Sequence, residues 1–253
     1  MAGTFLVRGM LAGLLAAVIA FGFATLYAEP TIERAISFEE RHEHTHSLAS
    51  SGAETPATPQ AGDAEAFSRQ TQSGIGLLTG LSVIGLAMGG VFSITFIILN
   101  GRMGPRDPRI LSLCIALTAY VILVLVPGIK YPANPPAVGS PETIGLRTAL
   151  FFGMVAISIA AALLALQTAR LVSTSLGVWN GSLLGIGTFL MIVVLAYAAL
   201  PTFSELPEGF SADLLWRFRL SAFGTQAVLW SVIGVTFGFL AERTSKSRTI
   251  VAH

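Results

Sequence analysis

The chain has 253 residues, of which 11% are charged and 53% hydrophobic, with a mean hydropathy of +0.72 and a formal net charge of +1. A water-soluble domain carries about 25% charged residues, so this much apolar surface belongs in a lipid bilayer, and no Lys/Arg-rich run exists to grip nucleic acid. The single cysteine, Cys114, excludes an intramolecular disulfide and a paired-thiolate metal motif, and no GxxxxGK[ST] phosphate loop is present.

The expected fold class is all-α, a polytopic transmembrane helix bundle. A span needs about 20 mostly apolar residues, and six stretches qualify: Gly9–Ala28, Ile75–Leu99, Ile110–Ile129, Thr148–Ala169, Asn180–Leu200 and Leu220–Ala241. The first can instead be read as a signal peptide, with Arg8 as its basic start and Ala24 or Ala28 as the small cleavage residue. Five spans would then remain. Its apolar run exceeds the ~7–15 residues of a signal core, which favours a retained anchor. The expected organisation is this first span (1–28), an extracytoplasmic acidic His-rich loop (29–73), and a five-span bundle with a short cytoplasmic tail (74–253).

Orientation follows from the loops. The short connection Asn100–Arg109 carries three arginines and the C-terminal tail three more basic residues. Short basic loops stay inside, so both termini are expected in the cytoplasm. Twelve of the 14 acidic residues then face outward, with Asp107 and Glu242 the exceptions.

The longest outer connection holds the chemistry. Three of the four histidines fall in Arg41-His42-Glu43-His44-Thr45-His46, just after Glu39 and Glu40. Imidazole and carboxylate together suit a borderline divalent ion such as cobalt, nickel or zinc. Extended, the segment puts His42, His44 and His46 on one side. Helical, it aligns Glu39, Glu43 and the pair His42/His46. Either geometry offers two or three nitrogens and an oxygen, and the plain alternative is a polar loop whose histidines happen to adjoin. Pro30 suits the first turn of a short helix from Glu29 through Glu43. The Ser/Ala/Pro/Gly/Thr stretch Ser47–Ala66 is expected to be disordered.

Gly76, Gly80, Gly85 and Gly89 form small-xxx-small pairs, and Gly9/Gly13, Gly181/Gly185 and Gly234/Gly238 repeat the spacing. Such residues let helices approach closely in lipid. Four prolines between Pro127 and Pro136 are expected to prevent a helix and make a stiff extended segment. Tyr131 and Asn134 there, with Asn180 and Gln226 in later spans, are the oxygen ligands available to line an entrance or pathway. Arg217 and Arg219 have Glu205, Glu208 and Asp213 as possible partners. No residue within the spans is charged, and no catalytic residue is identified.

The run from Leu125 to Gly139 (LVPGIKYPANPPAVG), the following Pro141-Glu142-Thr143-Ile144 and Arg147-Thr148, Glu29-Pro30, and Pro207-Glu208-Gly209-Phe210 through Leu220 and Gly224-Thr225-Gln226 resemble the CbtA family of predicted cobalt transporter subunits. The resemblance runs nearly end to end, outside Ser47–Ala66. It implies cobalt import for cobalamin synthesis, a bacterial inner-membrane location, and a small single-span His-containing partner, CbtB. The family is usually described with five spans, against six here.

These readings converge on a membrane subunit of a divalent-metal uptake transporter, with Co²⁺ as the expected cargo and Ni²⁺ the alternative, no fixed cofactor, and His42, His44, His46, Glu39 and Glu43 as the capture site. Ligand imidazoles must be neutral, so capture is expected to weaken below about pH 6. A second reading is a metal sensor or scaffold that passes no ions. A third is a membrane metalloenzyme, against which stands the lack of an HExxH or other fixed-helix ligand set.

Overall fold

The computed structural model describes residues 2–50, 68–102 and 104–251, with the side chains of 43–50 and 244–251 left aside. Among the described residues the chain is all helix and turn, with no strand. Six helices carry it: α1 (Ala2–Tyr27), α2 (Glu29–Ser50), α3 (Arg69–Leu99), α4 (Pro108–Lys130), α5 (Ile144–Ala199) and α6 (Ala212–Val251). All but α2 are long and apolar enough to cross a membrane.

The longest of these is two crossings. At 56 residues a straight α5 would reach roughly 84 Å, against a hydrocarbon core of about 30 Å. Gly177 breaks it with φ 82° and ψ 163°. A Cβ built on Gly185 would meet the Ala165 carbonyl at 2.7 Å, and one on Gly181 the Ala169 carbonyl at 2.6 Å. Residues that far apart along one helix touch only if the chain folds back, so limbs 144–176 and 178–199 form an antiparallel hairpin. The six apolar stretches expected from sequence therefore fall on six separate helical segments.

The helices sort into two compact units. The first comprises residues 1–117, 135–137 and 209–253, the second residues 118–134 and 138–208. In the first, α1 packs against both α3 and α6. The α1–α3 seam is built from glycine on glycine: Cβ atoms on Gly9 and Gly13 would overlap the carbonyls of Gly89 and Gly85, and the reverse holds too. Such close approach is how helices associate in lipid, where apolar burial gives no net drive. Of the glycine series in α3 only its second pair does this, since nothing lies within 4 Å of a Cβ on Gly80.

Phe5, Phe92, Phe96 and Phe237 then fill the space where the three helices converge, with Phe96 and Phe237 ring centroids 5.0 Å apart. The start of α4 joins through Ser112 Oγ, which donates to the Gly234 carbonyl at 2.7 Å. One end of this unit is clasped by charge. Arg8 donates to the Leu240 carbonyl, and Arg109 pairs with Glu242. Asp107 caps the first turn of α4 by accepting from the Arg109 and Ile110 amides.

In the second unit Val126, Tyr131, Met154 and Val193 form the buried core. Here one expectation is corrected. Pro127 does not end its helix, which continues to Lys130. A π-turn at Val121–Leu125 precedes the proline and widens the backbone there, so the ring is accommodated within the helix. Two hydroxyls take up carbonyls at this irregularity: Ser158 Oγ donates to Ile122 at 2.6 Å, and Tyr197 OH donates to Val126. The extended, proline-rich backbone begins only at Tyr131.

Candidate functional site

The histidine segment is a helix. Backbone hydrogen bonds from Thr31 and Ile32 to the Ala28 carbonyl carry α1 into α2 with a break of one residue. Thr31 Oγ1 also donates to Ala28 at 2.7 Å. Over 22 residues α2 reaches roughly 33 Å from the end of the first span. One stripe, Thr31, Ala35 and Phe38, is its inner face, and His42 continues it at an exposed position. Thr31 and Ala35 are buried, Phe38 packs edge-on against Phe210 at 5.1 Å, and Phe38 stacks on the His42 ring at 5.5 Å. Glu33, Glu39 and Glu40 are exposed.

Helical register decides between the two geometries the sequence left open. Positions 39, 42, 43 and 46 recur at three- and four-residue spacing, whereas position 44 falls on the opposite side. The extended arrangement with all three histidines on one side is not formed. The side chains of Glu43, His44 and His46 lie outside the described residues, as does the proposed disordered stretch beyond Ser50; residues 47–50 continue α2. Among the described residues no three His, Cys, Asp or Glu side chains gather to hold a metal.

An open cleft of about 640 Å³ lies beside His42, lined by Arg34, Phe38, Arg41, Asp213 and Leu214 among others. Two guanidiniums against one carboxylate make this side unfavourable for a free cation. The acidic side of α2, with Glu39 and Glu40, is where the field attracts one.

The base of the long loop is tied by an ion pair that sequence reasoning missed. Glu29, buried at the start of α2, accepts from Arg69 Nη2 at 2.6 Å. It ties the start of α2 to the start of α3 within the first unit. Glu29 was legible only as part of a motif, because its partner lies 40 residues away.

The second unit has its own polar end. Glu205 Oε2 accepts from the Ser140 amide at 2.7 Å, Thr143 Oγ1 at 2.9 Å and Arg147 Nη1 at 3.2 Å, and the Glu205 carbonyl accepts from the Gly139 amide. Sequence offered Arg217 and Arg219 as partners for Glu205; the structure gives it Arg147, while Arg217 pairs with Asp213 four residues earlier. The Ser140 amide bond, then the Thr143 and Arg147 contacts, hold the Glu205 carboxyl below the usual carboxylate range. A depressed value contributes stability that is complete above the unfolded carboxylate pKa and lost as pH falls through the folded one. Exchange protection of the Ser140 amide, which donates to the carboxylate itself, is therefore expected to stay flat from pH 8 to 5 and to fall only in stronger acid. Glu205→Ala should abolish that protection at neutral pH, and hydrogen exchange by mass spectrometry measures both.

Within the second unit the possible pathway residues are not brought together. Tyr131 is buried with its hydroxyl donated to the Pro201 carbonyl at 2.9 Å, and Asn134 follows on the same extended segment. Asn180 sits exposed just past Gly177, its amide donated to the Leu176 carbonyl at 2.9 Å, at the other end of the second unit. Gln226 is half-buried in α6 of the first unit. A residue not singled out from sequence, Lys130, does more at the Tyr131 end. Its Nζ donates to the Tyr197 carbonyl and to Thr202 Oγ1, both at 2.8 Å. A cation there neutralises the carbonyl end of limb 178–199.

A family model described as a probable cobalt transporter subunit, CbtA, matches residues 2–242. The chain belongs to the CbtA family. No curated protein and no solved structure matches it. Membership of CbtA, together with helices long and apolar enough to cross a membrane, makes this a multi-pass membrane protein with a transporter role. The family description also calls a CbtA protein a subunit, which implies a partner.

Proposed function

We propose that the chain is the membrane-spanning subunit of a cobalt uptake transporter in the bacterial inner membrane, and that α2 is a helical arm on which the ion is first captured. The observation that carries this is the near-unbroken passage of α1 into α2. In helical register positions 39, 42, 43 and 46 fall on one side, which supports a capture stripe of two carboxylates and two imidazoles on a helix continuous with a membrane span but for one residue. His44, on the other side, would serve as an exchange ligand. The ion is cargo rather than a resident cofactor, so the arm should bind it and let it go. Ni²⁺ fits the same N/O donors.

Both termini are placed in the cytoplasm, with residues 29–73 outside and the first span retained, which its glycine seam with α3 supports. A small single-span His-containing subunit, CbtB-like, is the proposed partner, and cobalamin synthesis the proposed consumer of the ion. The test is Co²⁺ titration of the purified chain by calorimetry. His42→Ala and His46→Ala are each expected to weaken binding at least tenfold, and His44→Ala less. Equal losses at all three positions would contradict the helical stripe.

The arginine-lined cleft beside His42 favours a second reading, a non-transporting metal sensor or scaffold whose arm presents itself to a partner. Cobalt binding without flux in proteoliposomes containing the partner would establish it.

A further inference from the structure

We infer that the corner between α1 and α2 holds the phosphate of an anionic glycerophospholipid. A groove of about 360 Å³ runs here between α1–α2 and the start of α6. Its floor and rim are apolar: Phe23, Leu26, Tyr27 and Leu220 line it, and Leu26, Tyr27 and Leu220 continue onto the exposed surface of two spans. At its polar end stand two guanidiniums, Arg34 from α2 and Arg217 from α6.

The height is that of a headgroup. Tyr27 is the last residue of the first span and Trp216, exposed beside Arg217, leads into the last, as aromatic residues do at a membrane–water boundary. Arg217 is oriented by Asp213, whose Oδ2 accepts from its Nε at 2.7 Å. Arg34 is exposed and makes no ion pair among the described residues. An arginine fork presented at the mouth of an apolar groove matches a phosphodiester with acyl chains beneath it. A soluble anion would leave the apolar wall unused.

The test uses the full chain purified in detergent, with phosphatidylglycerol as the probe. Bound lipid stabilises the folded state by mass action. At about a hundredfold excess over its Kd, the thermal midpoint of the wild-type chain should rise on the order of 5 °C. Arg34→Gln should remove most of that rise while leaving the lipid-free midpoint unchanged, and Arg34→Lys should restore part of it. Native mass spectrometry should show one retained phosphatidylglycerol on the wild type and less on Arg34→Gln. Equal lipid retention and equal stabilisation in wild type and Arg34→Gln would overturn the site. Inorganic phosphate giving the same stabilisation as the lipid would overturn the lipid assignment and leave a free-anion site.

Discussion

Replacing Gly13 by leucine is expected to separate α1 from α3 and to destabilise the first unit by about 3 kcal/mol or more. The residue pairs Gly9/Gly89 and Gly13/Gly85 place backbone against backbone, so a Cβ at either position overlaps a carbonyl that has no rotamer to escape into. The helices must move apart, and the packing that drives their association in lipid goes with the movement. Phe5 would also lose its place against Phe96 and Phe237. Gly80→Leu is the matched control. It lies in α3 in the same four-residue series, with nothing within 4 Å, and should leave the midpoint of unfolding in detergent near that of the wild type. Equal midpoints for the Gly13 and Gly80 variants would show that the seam does not hold the unit together.

The second large effect is at Gly177. Its backbone conformation, φ 82° and ψ 163°, is one that only glycine adopts readily. Gly177→Val adds strain of about 1–3 kcal/mol and leaves the run on either side free to continue as one helix. The hairpin contacts of Gly181 and Gly185 with Ala169 and Ala165 would be lost with it. Cysteines placed at Ala169 and Gly185 in a Cys114→Ser background measure this directly, since a Cβ on Gly185 would stand 2.9 Å from the Ala169 Cβ and a small shift brings the pair to disulfide separation. They are expected to cross-link readily in the otherwise wild-type chain and poorly with Gly177→Val. Unchanged cross-linking would mean that the fold-back does not depend on the glycine.

The spans were legible because hydropathy is a local property. Thr148–Ala169 and Asn180–Leu200 fall on the two limbs of α5, and Ile110–Ile129 lies within α4. What pairs with what was less legible. The four-residue glycine spacing marked Gly76/Gly80 and Gly85/Gly89 equally, yet only the second pair has a partner within reach, because the α1 glycines meet the middle of α3. Pro127 misled for a related reason. The rule that proline ends a helix is local, and the π-turn that accommodates it is secured by Ser158 and Tyr197 from elsewhere in the chain.

The candidate site shows the same division. Residue type pointed to the histidine cluster, but the sequence of α2 is neither apolar-periodic nor strand-like, so extended and helical geometries stayed open. The helix is held where it starts by contacts of Thr31, Ala35 and Phe38, and their partners, Phe210 and the start of α6, lie far along the chain. Glu29–Arg69 and Glu205–Arg147 span 40 and 58 residues, and each charged residue had several sequence-compatible partners.

Cobalt accumulation in cells is the most direct measurement of the central claim. Cells expressing the chain with a CbtB-like partner are compared with cells lacking either, and with a variant in which His42, His44 and His46 are all alanine. Accumulation that requires the chain, and that the triple variant reduces at low external cobalt but not at high, is the predicted result. No accumulation under any pairing, with the protein present in the membrane and binding cobalt, would contradict transport and leave a sensor or scaffold.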